Sequence, residues 1–340
     1  MVITQKIDYV LVLVQKTNKE DLYLKEKNMD SLISKNNAKA FLFLNGILWG
    51  SSYVWSKMLL SYLPRFTILF LSSLGGLITI VLLYFHSLNK IKAETILPSI
   101  AICSFSIISN TFFILALQYT SSFNTAFIVQ LSVLITPLLT AINEKKLPEK
   151  EVITGAVGAL AGIFLLTCDL RSFCFNPGDL FALGNAVFFS LYLASMRINS
   201  NKINPVHFTF IQHAVNTPVY FLASIFLKKP FTEVGNLKSP QFIILIAVSI
   251  IVTVFTILIQ SSAIRYVKAE KAVIIYTIEP VTTALLGFVF LGEKPEGFGA
   301  MAGCILIIIS ITLSLYKKES KRRPFTNIRQ QLDVFPSSEK

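Results

Sequence analysis

Charged residues are scarce in this chain. Only 15% of its 340 residues are Asp, Glu, Lys or Arg, whereas 53% are hydrophobic. A soluble protein is usually about 25% charged, and here most charges lie in the terminal segments or in short clusters between apolar runs. The remaining residues cannot form a solvated surface. We therefore exclude a soluble two-domain enzyme and expect an integral membrane protein.

Motifs for ATP use, metal binding and nucleophilic catalysis are also missing. We find no Walker A loop, His/Asp metal cluster or Ser/His/Asp arrangement, and the four cysteines include no CxxC pair. Cys168 and Cys174 flank one loop, and the sequence leaves open whether they pair. We expect no enzyme activity, no cofactor and no metal. A membrane-embedded lipid-modifying enzyme remains the alternative of another class, although it needs a cluster of carboxylates or histidines at one membrane face.

What the chain does contain is a series of apolar runs long enough to cross a hydrocarbon core, which takes about 20 residues. The runs are continuously apolar rather than alternating, which favours helices over barrel strands. We predict an all-α integral membrane protein with ten transmembrane helices. The predicted spans are residues 40–62, 65–86, 96–118, 122–142, 151–168, 178–199, 206–227, 240–264, 271–291 and 297–316.

Basic residues outnumber acidic ones by 31 to 19, so the net charge is +12. Basic patches bind nucleic acid, but Lys and Arg also accumulate in the cytoplasmic loops of membrane proteins. If both termini are cytoplasmic, the inner segments hold 24 of the 31 basic residues. We therefore expect a multi-pass protein of the cell (inner or plasma) membrane with both termini cytoplasmic, and no nucleic-acid partner.

Two polar tails flank the apolar body. Residues 1–39 and residues 317–340 each carry seven basic residues, and we expect both tails to be cytoplasmic. The N-terminal tail is expected to be disordered to about residue 35. A short phrase beginning at Met29 leads directly into the first span, so either Met1 or Met29 remains open as the true start.

Short sequences recur in the two halves of the chain. Ala116-Leu-Gln-Tyr119 returns as Ala263-Ile-Arg-Tyr266, displaced by 147 residues, and Trp49-Gly-Ser51-Ser-Tyr53 is echoed by Phe188-Phe-Ser190-Leu-Tyr192. Each half contains five predicted spans, an odd number, so the second half enters the membrane from the opposite side. The sequence thus predicts a 5+5 inverted repeat, residues 40–168 and 178–316, with a site near the midplane between the halves.

At these positions the chain resembles the drug/metabolite transporter (DMT) superfamily and its EamA-type permeases, over about residues 40–316. One departure is Leu71-Ser-Ser73, where the superfamily often has an arginine, and this weakens any transfer of anion specificity. The segments that carry the resemblance are Leu48-Trp-Gly-Ser-Ser-Tyr-Val54 with Lys57, Pro177-Gly-Asp179, Glu279-Pro280-Val281, Leu291-Gly-Glu293-Lys294 and Gly303.

The resemblance implies a secondary transporter that moves a small metabolite by alternating access. An amino acid or a related compound is the leading substrate and export the leading direction, driven by proton exchange or by the substrate gradient. A nucleotide-sugar or cofactor exchanger of the same superfamily is the alternative. The expected partners are a small-molecule substrate and the lipid bilayer, and nothing in the sequence indicates an oligomer.

Ionisable side chains deep in lipid are costly and are functional candidates by default. Glu279 is the acid that lies well inside a span, and we regard it as a candidate for proton coupling. It remains open whether Glu279 and Pro280 instead shape a helix break. His213 lies in mid-span and is either a packing residue or a group that binds substrate or protons. Lys57 is expected to snorkel outward from the end of its helix, with attraction of an anion as the alternative.

The sequence also predicts a substrate cavity lined by aromatic rings, which supply contact area, and by amides, which orient a ligand. For any single amide the alternative is a hydrogen bond between helices. The candidate lining residues are Trp49, Tyr53, Asn110, Gln130, Asn185, Tyr192, Gln212, His213, Asn216, Gln260 and Tyr276.

Overall fold

A computed structural model of the protein describes residues 33–145, 147–167, 177–227, 238–293 and 298–315. The regular secondary structure in these ranges is entirely helical. The helices are α1 (Ala38–Leu59), α2 (Arg65–Leu88), α3 (Ala93–Tyr119), α4 (Ser122–Val129), α5 (Ser132–Glu144), α6 (Lys150–Thr167), α7 (Pro177–Ile198), α8 (Pro205–Phe226), α9 (Pro240–Ala263), α10 (Ala269–Ile275), α11 (Ile278–Leu291) and α12 (Phe298–Leu315).

Most of the two predicted tails lie outside the described residues, as do Cys168 and Cys174, whose pairing the sequence left open. Of the N-terminal tail, residues 33–37 are described and form a turn that leads into α1. The side chain of Ile33 is buried there, and the backbone N–H of Ala38 donates to the carbonyl of Ser34 at 2.9 Å.

Two predicted spans, 122–142 and 271–291, correspond to membrane spans that are each interrupted by a break in the helix. The first is divided into α4 and α5 at Gln130 and Leu131, and the second into α10 and α11 at Tyr276 and Thr277. The other predicted spans agree with the helices to within three residues at each end, because Pro, Gly and charged residues interrupt the apolar pattern there.

A proline, Pro280, causes the break before α11. Pro280 has no N–H, so the carbonyl of Tyr276 lacks the partner that a helix would supply four residues later. That carbonyl instead accepts from the Glu279 N–H at 2.8 Å and from the Gln130 side-chain amide at 3.2 Å. Gln130, at the break between α4 and α5, therefore donates a hydrogen bond to the backbone carbonyl at the break between α10 and α11.

The exterior of the bundle is apolar. Leu82 and Leu97, for example, are 77% and 76% exposed, as expected of side chains that face lipid. Within the described ranges, six helices are long and apolar enough to cross a membrane when each broken span is counted once. They are α2, α3, α4 with α5, α7, α9, and α10 with α11.

Helices of the first half, α1 to α6, pack mainly against helices of the second half, α7 to α12. The most extensive pairs are α6 with α12, α3 with α7, α2 with α8, α1 with α9 and α1 with α11. Under exchange of the halves, the counterpart of α3–α7 is α1–α9, the counterpart of α1–α11 is α5–α7, and the counterpart of α1–α10 is α4–α7. All of these contacts are present.

Polar contacts identify the segments that meet at each end of the bundle. We call one the Lys57 end, where residues 57–65, 117–122 and 293 meet: Lys57 Nζ donates to the carbonyls of Leu117 and Thr120, and Glu293 accepts from Ser122. We call the other the Arg197 end.

At the Arg197 end, residues 87–95, 140–150, 197–207 and 263–271 meet. Arg197 Nη1 donates to the carbonyl of Ile264 at 2.9 Å, and the hydroxyl of Thr95 donates to the carbonyl of Lys202 at 3.1 Å. The two echoed tyrosines, Tyr119 and Tyr266, thus lie at opposite ends of the bundle.

Candidate functional site

A cavity lies at the centre of the bundle. The volume that the centre of a water molecule can reach inside it is about 100 Å³. A single water needs roughly 10–15 Å³ by the same measure. The cavity therefore has room for a small metabolite or several waters. Four helices of each half line it: α1, α2, α3 and α4 from the first, and α7, α8, α9 and α11 from the second.

The cavity is displaced towards the Lys57 end. Ser56, Ile68 and Phe113 line it within one or two helical turns of the points where α1, α2 and α3 reach that end. The space between the cavity and the Arg197 end is filled by a large cluster of buried apolar side chains. Leu42, Met196, Phe208, Ala263 and Val273 of this cluster are fully buried.

Glu279 lies on the cavity wall at the second position of α11, where the helix N-terminus favours negative charge. Its Oε2 accepts from the Gln130 amide at 3.1 Å and from the Tyr53 hydroxyl at 3.4 Å. The side chain is 3% exposed, and its Oε1 has no hydrogen-bond partner among the described residues. One oxygen is therefore held by the protein and the other is left for a proton or a ligand.

Close contact between α1 and α11 fixes the position of Glu279. A Cβ added to Gly50 would lie 2.7 Å from the backbone oxygen of Glu279 and 2.7 Å from Cβ of Thr282, so only glycine permits this approach. The hydroxyl of Thr283 donates to the carbonyl of Gly50 at 2.9 Å and links the two helices.

A hydrogen-bonded floor separates the cavity from the buried apolar cluster. Trp49 lines the cavity, and its indole N–H donates to Gln260 Oε1 at 3.2 Å. The same oxygen accepts from the Tyr276 hydroxyl at 3.3 Å, and that hydroxyl accepts from the Asn45 amide at 2.9 Å. These contacts join α1, α9 and the break between α10 and α11.

A second network forms the wall between α3, α7 and α8. The Tyr192 hydroxyl donates to Gln212 Oε1 at 3.1 Å, and the Gln212 amide donates to the Ser106 hydroxyl at 2.8 Å. Asn110 also donates to Ser106, at 3.3 Å. The Asn185 amide donates to the carbonyl of Ser109 at 2.7 Å and to its hydroxyl at 3.1 Å.

His213 lies on the cavity wall where α8 crosses α2. A Cβ added to Gly76 would lie 2.6 Å from His213 Nε2, so glycine makes room for the ring. Neither ring nitrogen has a hydrogen-bond partner in the described part of the chain, and the same is true of Asn216 Oδ1 one turn further along α8. Both side chains border the cavity.

The structure brings most of the predicted lining residues together. Those that border the cavity are Trp49, Tyr53, Asn110, Asn185, Tyr192, Gln212, His213 and Asn216, with Glu279. Gln130, Gln260 and Tyr276 do not border it but lie directly behind Glu279 and Trp49, to which they are hydrogen-bonded either directly or through one another. Their roles remain predictions.

Sequence reasoning missed the hydroxyl residues of the wall. Ser72, Ser106, Ser109, Ser249 and Thr253 all line the cavity. Their spacing could have identified them, because Ser106 and Ser109 lie one helical turn apart, as do Ser249 and Thr253. A mid-span serine usually bonds to its own helix and so does not stand out in an apolar run.

The expectation that Lys57 snorkels outward is wrong. Its Nζ lies 2.5 Å from the carbonyl of Leu117 and 2.7 Å from that of Thr120, at the end of α3. The last carbonyls of a helix have no partner within the helix, and a lysine satisfies them. Arg197, near the end of α7, makes the same kind of contact with Ile264 and Arg265 at the end of α9.

Glu293 provides a contact between the halves at the Lys57 end. Gly292 ends α11 with φ +67°, a left-handed conformation that favours glycine. The chain then turns so that Glu293 accepts from the hydroxyl of Ser122 at 2.5 Å and from its backbone N–H at 3.2 Å. The Leu-Gly-Glu segment therefore caps α4 of the other half.

Ion pairs connect the halves at the Arg197 end. Glu149 accepts from Lys268 and from Lys271, each at 2.9 Å. Hydrogen bonds from Lys271 and Lys268 lower the pKa of the Glu149 carboxyl from 4.5 to about 2. No group of three or more His, Cys, Asp or Glu residues that could hold a metal occurs within the described ranges.

Comparison with known proteins connects this architecture to a family. The model of the EamA-like transporter family matches residues 37–168 and 176–316. An uncharacterized transporter of Archaeoglobus fulgidus is 24% identical over 84% of this chain and 90% of its own length. The uncharacterized transporter YyaM of Bacillus subtilis is 23% identical over 59% of this chain and 67% of its own length.

A solved crystal structure of a protein has the same fold. It matches 83% of this chain and 97% of its own with a TM-score of 0.66 at 18% identity. The apolar helices and the family matches together define a multi-pass membrane protein and a membrane transporter. The chain belongs to the EamA-like transporter family.

Proposed function

We propose that the protein is a secondary transporter (permease) that exports a small metabolite, an amino acid or a related compound, across the cytoplasmic membrane by alternating access. The observation that carries this proposal is the cavity bounded by four helices of each half, with the carboxyl of Glu279 on its wall. A site between two halves can be exposed first at one end and then at the other as the halves move against each other.

Several features support ten transmembrane helices in a 5+5 inverted repeat. The two broken spans, the fourth and the ninth, occupy equivalent places in the two halves, and the helix pairs α3–α7 and α1–α9 exchange with each other when the halves are exchanged. Lys57 and Arg197 cap the third helix of their respective halves at opposite ends of the bundle. The family model also matches two separate segments.

The free oxygen of Glu279 supports coupling to protons. A carboxylate in an apolar interior is costly unless it is paired or protonated, and Tyr53 and Gln130 satisfy only Oε2. A proton or a cationic ligand can neutralise the group. Because one carboxyl accommodates one of them at a time, proton uptake and substrate release are linked at this residue.

Cysteine labelling tests the topology. Tyr119 and Tyr266 are 50% and 44% exposed, and their replacement by Cys, one at a time in a background without native cysteines, places a thiol at each end of the bundle. We expect a membrane-impermeant reagent added to intact cells to label the Tyr119→Cys variant, and to label Tyr266→Cys only after lysis. Labelling of both from the same side would overturn the inverted repeat.

Counterflow in proteoliposomes tests transport itself. Proteoliposomes that contain the purified protein are loaded with an amino-acid mixture. The uptake of each labelled amino acid is then followed with and without an imposed pH gradient. We expect accelerated exchange of at least one compound, with a pH dependence that is lost in Glu279→Gln. The lining residues within the described ranges include no Lys or Arg, which disfavours a nucleotide-sugar exchanger because its phosphates need cations.

A further inference from the structure

Several hydrogen-bond donors of the cavity wall are already used within the protein, whereas several acceptors are not. Several donors that face the cavity already donate to protein atoms: the indole of Trp49 to Gln260, the hydroxyl of Tyr53 to Glu279, and the hydroxyl of Tyr192 to Gln212. Both hydrogens of the Asn185 amide are used on Ser109. A ligand therefore meets few free donors on these side chains.

Most of the wall groups that have no partner in the described structure are acceptors; the exception is His213, whose neutral ring offers one donor and one acceptor. Glu279 and Asn216 line the cavity, and Glu279 Oε1 and Asn216 Oδ1 are buried without a partner in the described structure. The hydroxyls of Ser52 and Thr253 donate to carbonyls of their own helices, at 2.6 and 2.8 Å, so they present oxygen lone pairs to the cavity. A wall that is rich in acceptors matches a ligand that is rich in donors.

The charge of the lining residues also favours a cationic ligand. Glu279 is the carboxyl among the described lining residues, which include no Lys or Arg. The nearby Lys57 is held by two carbonyls at the end of α3. An anionic ligand would be desolvated here without a compensating positive charge, which is unfavourable.

Aromatic rings adjoin the carboxyl. Tyr53, whose hydroxyl donates to Glu279, packs edge-on against Phe113 with ring centroids 5.0 Å apart, and both rings line the cavity. Trp49 and Trp55 lie on the same helix and also line it. Aromatic faces attract organic cations and cover apolar groups.

We propose that the substrate carries a protonated primary or secondary amine, that this ammonium group binds Glu279 Oε1, and that the apolar body of the substrate lies against the aromatic wall. The ammonium supplies donors to the unpartnered acceptors and a positive charge beside Glu279, where the described lining has no Lys or Arg. This inference rests on the proposed transport function and narrows its substrate to compounds recognised through the amine rather than through a carboxylate.

The test compares binding of three probes to purified protein in detergent by isothermal titration: 2-phenylethylamine, a cation; 3-phenylpropionate, an anion of similar shape; and phenylalanine, which carries both groups. We expect 2-phenylethylamine to bind and 3-phenylpropionate to bind at least about tenfold more weakly. In Glu279→Gln, affinity for the amine falls by about 10- to 100-fold, the usual contribution of a hydrogen bond to a charged group. Phenylalanine follows the amine if its ammonium group is what the site recognises.

Glu94→Gln is the matched control, because Glu94 is an exposed carboxylate paired with Lys92 at 3.5 Å; we expect its affinities to equal those of the wild type. If Glu279→Gln does not fold, Glu279→Asp keeps the charge and must still prefer the amine over the anion. Equal binding of 3-phenylpropionate, absence of amine binding, or an unchanged affinity in Glu279→Gln would overturn the proposal. Counterflow of amino acids by the wild-type protein is scored separately, so transport can stand while the amine assignment fails.

Discussion

The two ends of the bundle are built from the same parts but packed differently. At the Lys57 end the half-helix α4 has only Ser122, Thr125, Ala126 and Val129 buried, and Val129 borders the cavity. At the Arg197 end the equivalent half-helix α10 is buried at six of its seven positions. Equivalent elements of the two halves therefore hold the site near one end and seal it from the other.

This difference indicates what the proposed alternating access would require of the molecule. If the halves exchange roles, α10 must gain a face towards the cavity and α4 must become buried, with Glu279 close to both. The contacts that must break are those at the Arg197 end: the carbonyl contacts of Arg197 and the ion pairs of Glu149. The following predictions test the comparison from the largest expected effect to the smallest.

Gly50→Val disrupts the close contact between α1 and α11. Its side chain would collide with the backbone of Glu279, which cannot move as a side chain can, so we expect a loss of about 3 kcal/mol and loss of transport. Thermal unfolding in detergent and counterflow measure these. Gly287→Ala on α11 is the control, because the nearest atom there is 3.3 Å away on the side chain of Glu293; an equal loss in both variants would contradict our account.

Replacing each of the two capping cations by Met tests the two ends of the bundle separately. Arg197→Met and Lys57→Met each leave helix-end carbonyls without their donor, at a cost of about 1–3 kcal/mol. We expect Arg197→Met to loosen the sealed end, so that a thiol reagent reaches an introduced Ala272→Cys on α10 about tenfold faster. Lys57→Met should leave this rate unchanged, and acceleration by Lys57→Met alone would reverse our assignment of the ends.

Tyr276→Phe tests the floor of the cavity. The variant removes the hydroxyl that joins Asn45 to Gln260 and leaves the buried Asn45 amide without that acceptor, so we expect a loss of about 1–2 kcal/mol with the fold retained. The decrease should appear in thermal unfolding. As the comparison, Tyr62→Phe removes an exposed hydroxyl that donates to Gln241 and should change stability by less than about 0.5 kcal/mol.

The Glu149 cluster should give the smallest effect. The pKa of Glu149 is lowered by its lysines from 4.5 to about 2, so its stabilising contribution is present above pH 4.5 and is lost as the pH falls towards 2. The side chain is 44% exposed, and exposed pairs contribute only about 0.2–1 kcal/mol. We expect Glu149→Gln to lower the unfolding temperature slightly at pH 7 and to converge with the wild type near pH 2. A difference that grew in acid would contradict the ion-pair explanation.

Helix positions could be predicted from the sequence, and a break beside Pro280 was an open alternative, but the break at Gln130 and Leu131 had no such signal. Apolar runs and interrupting Pro, Gly and charged residues mark the ends of spans locally. The break at Tyr276 and Thr277 depends on Pro280 and also on the side chain of Gln130, which lies 146 residues earlier in the chain and satisfies the freed carbonyl. No local pattern contains that contact.

The candidate site could be predicted in part for a related reason. Polar residues in apolar spans are few, and most of those selected lie on or just behind the cavity wall. Whether a residue lines the cavity, as Trp49 does, or supports it from behind, as Gln260 does, depends on the rotation of each helix against its neighbours. Both residues are amphipathic or polar members of the same kind of run, so sequence alone cannot separate them.

The sequence by itself determined the membrane class and the approximate positions of the helices, because a bilayer requires about 20 apolar residues for each crossing and polar residues must interrupt the runs. Only the tertiary structure decided that Lys57 caps a helix, that the Arg197 end is sealed, and that one oxygen of Glu279 has no partner among the residues that the structure describes. These features depend on contacts between residues far apart in the chain, where packing geometry rather than composition sets the free energy.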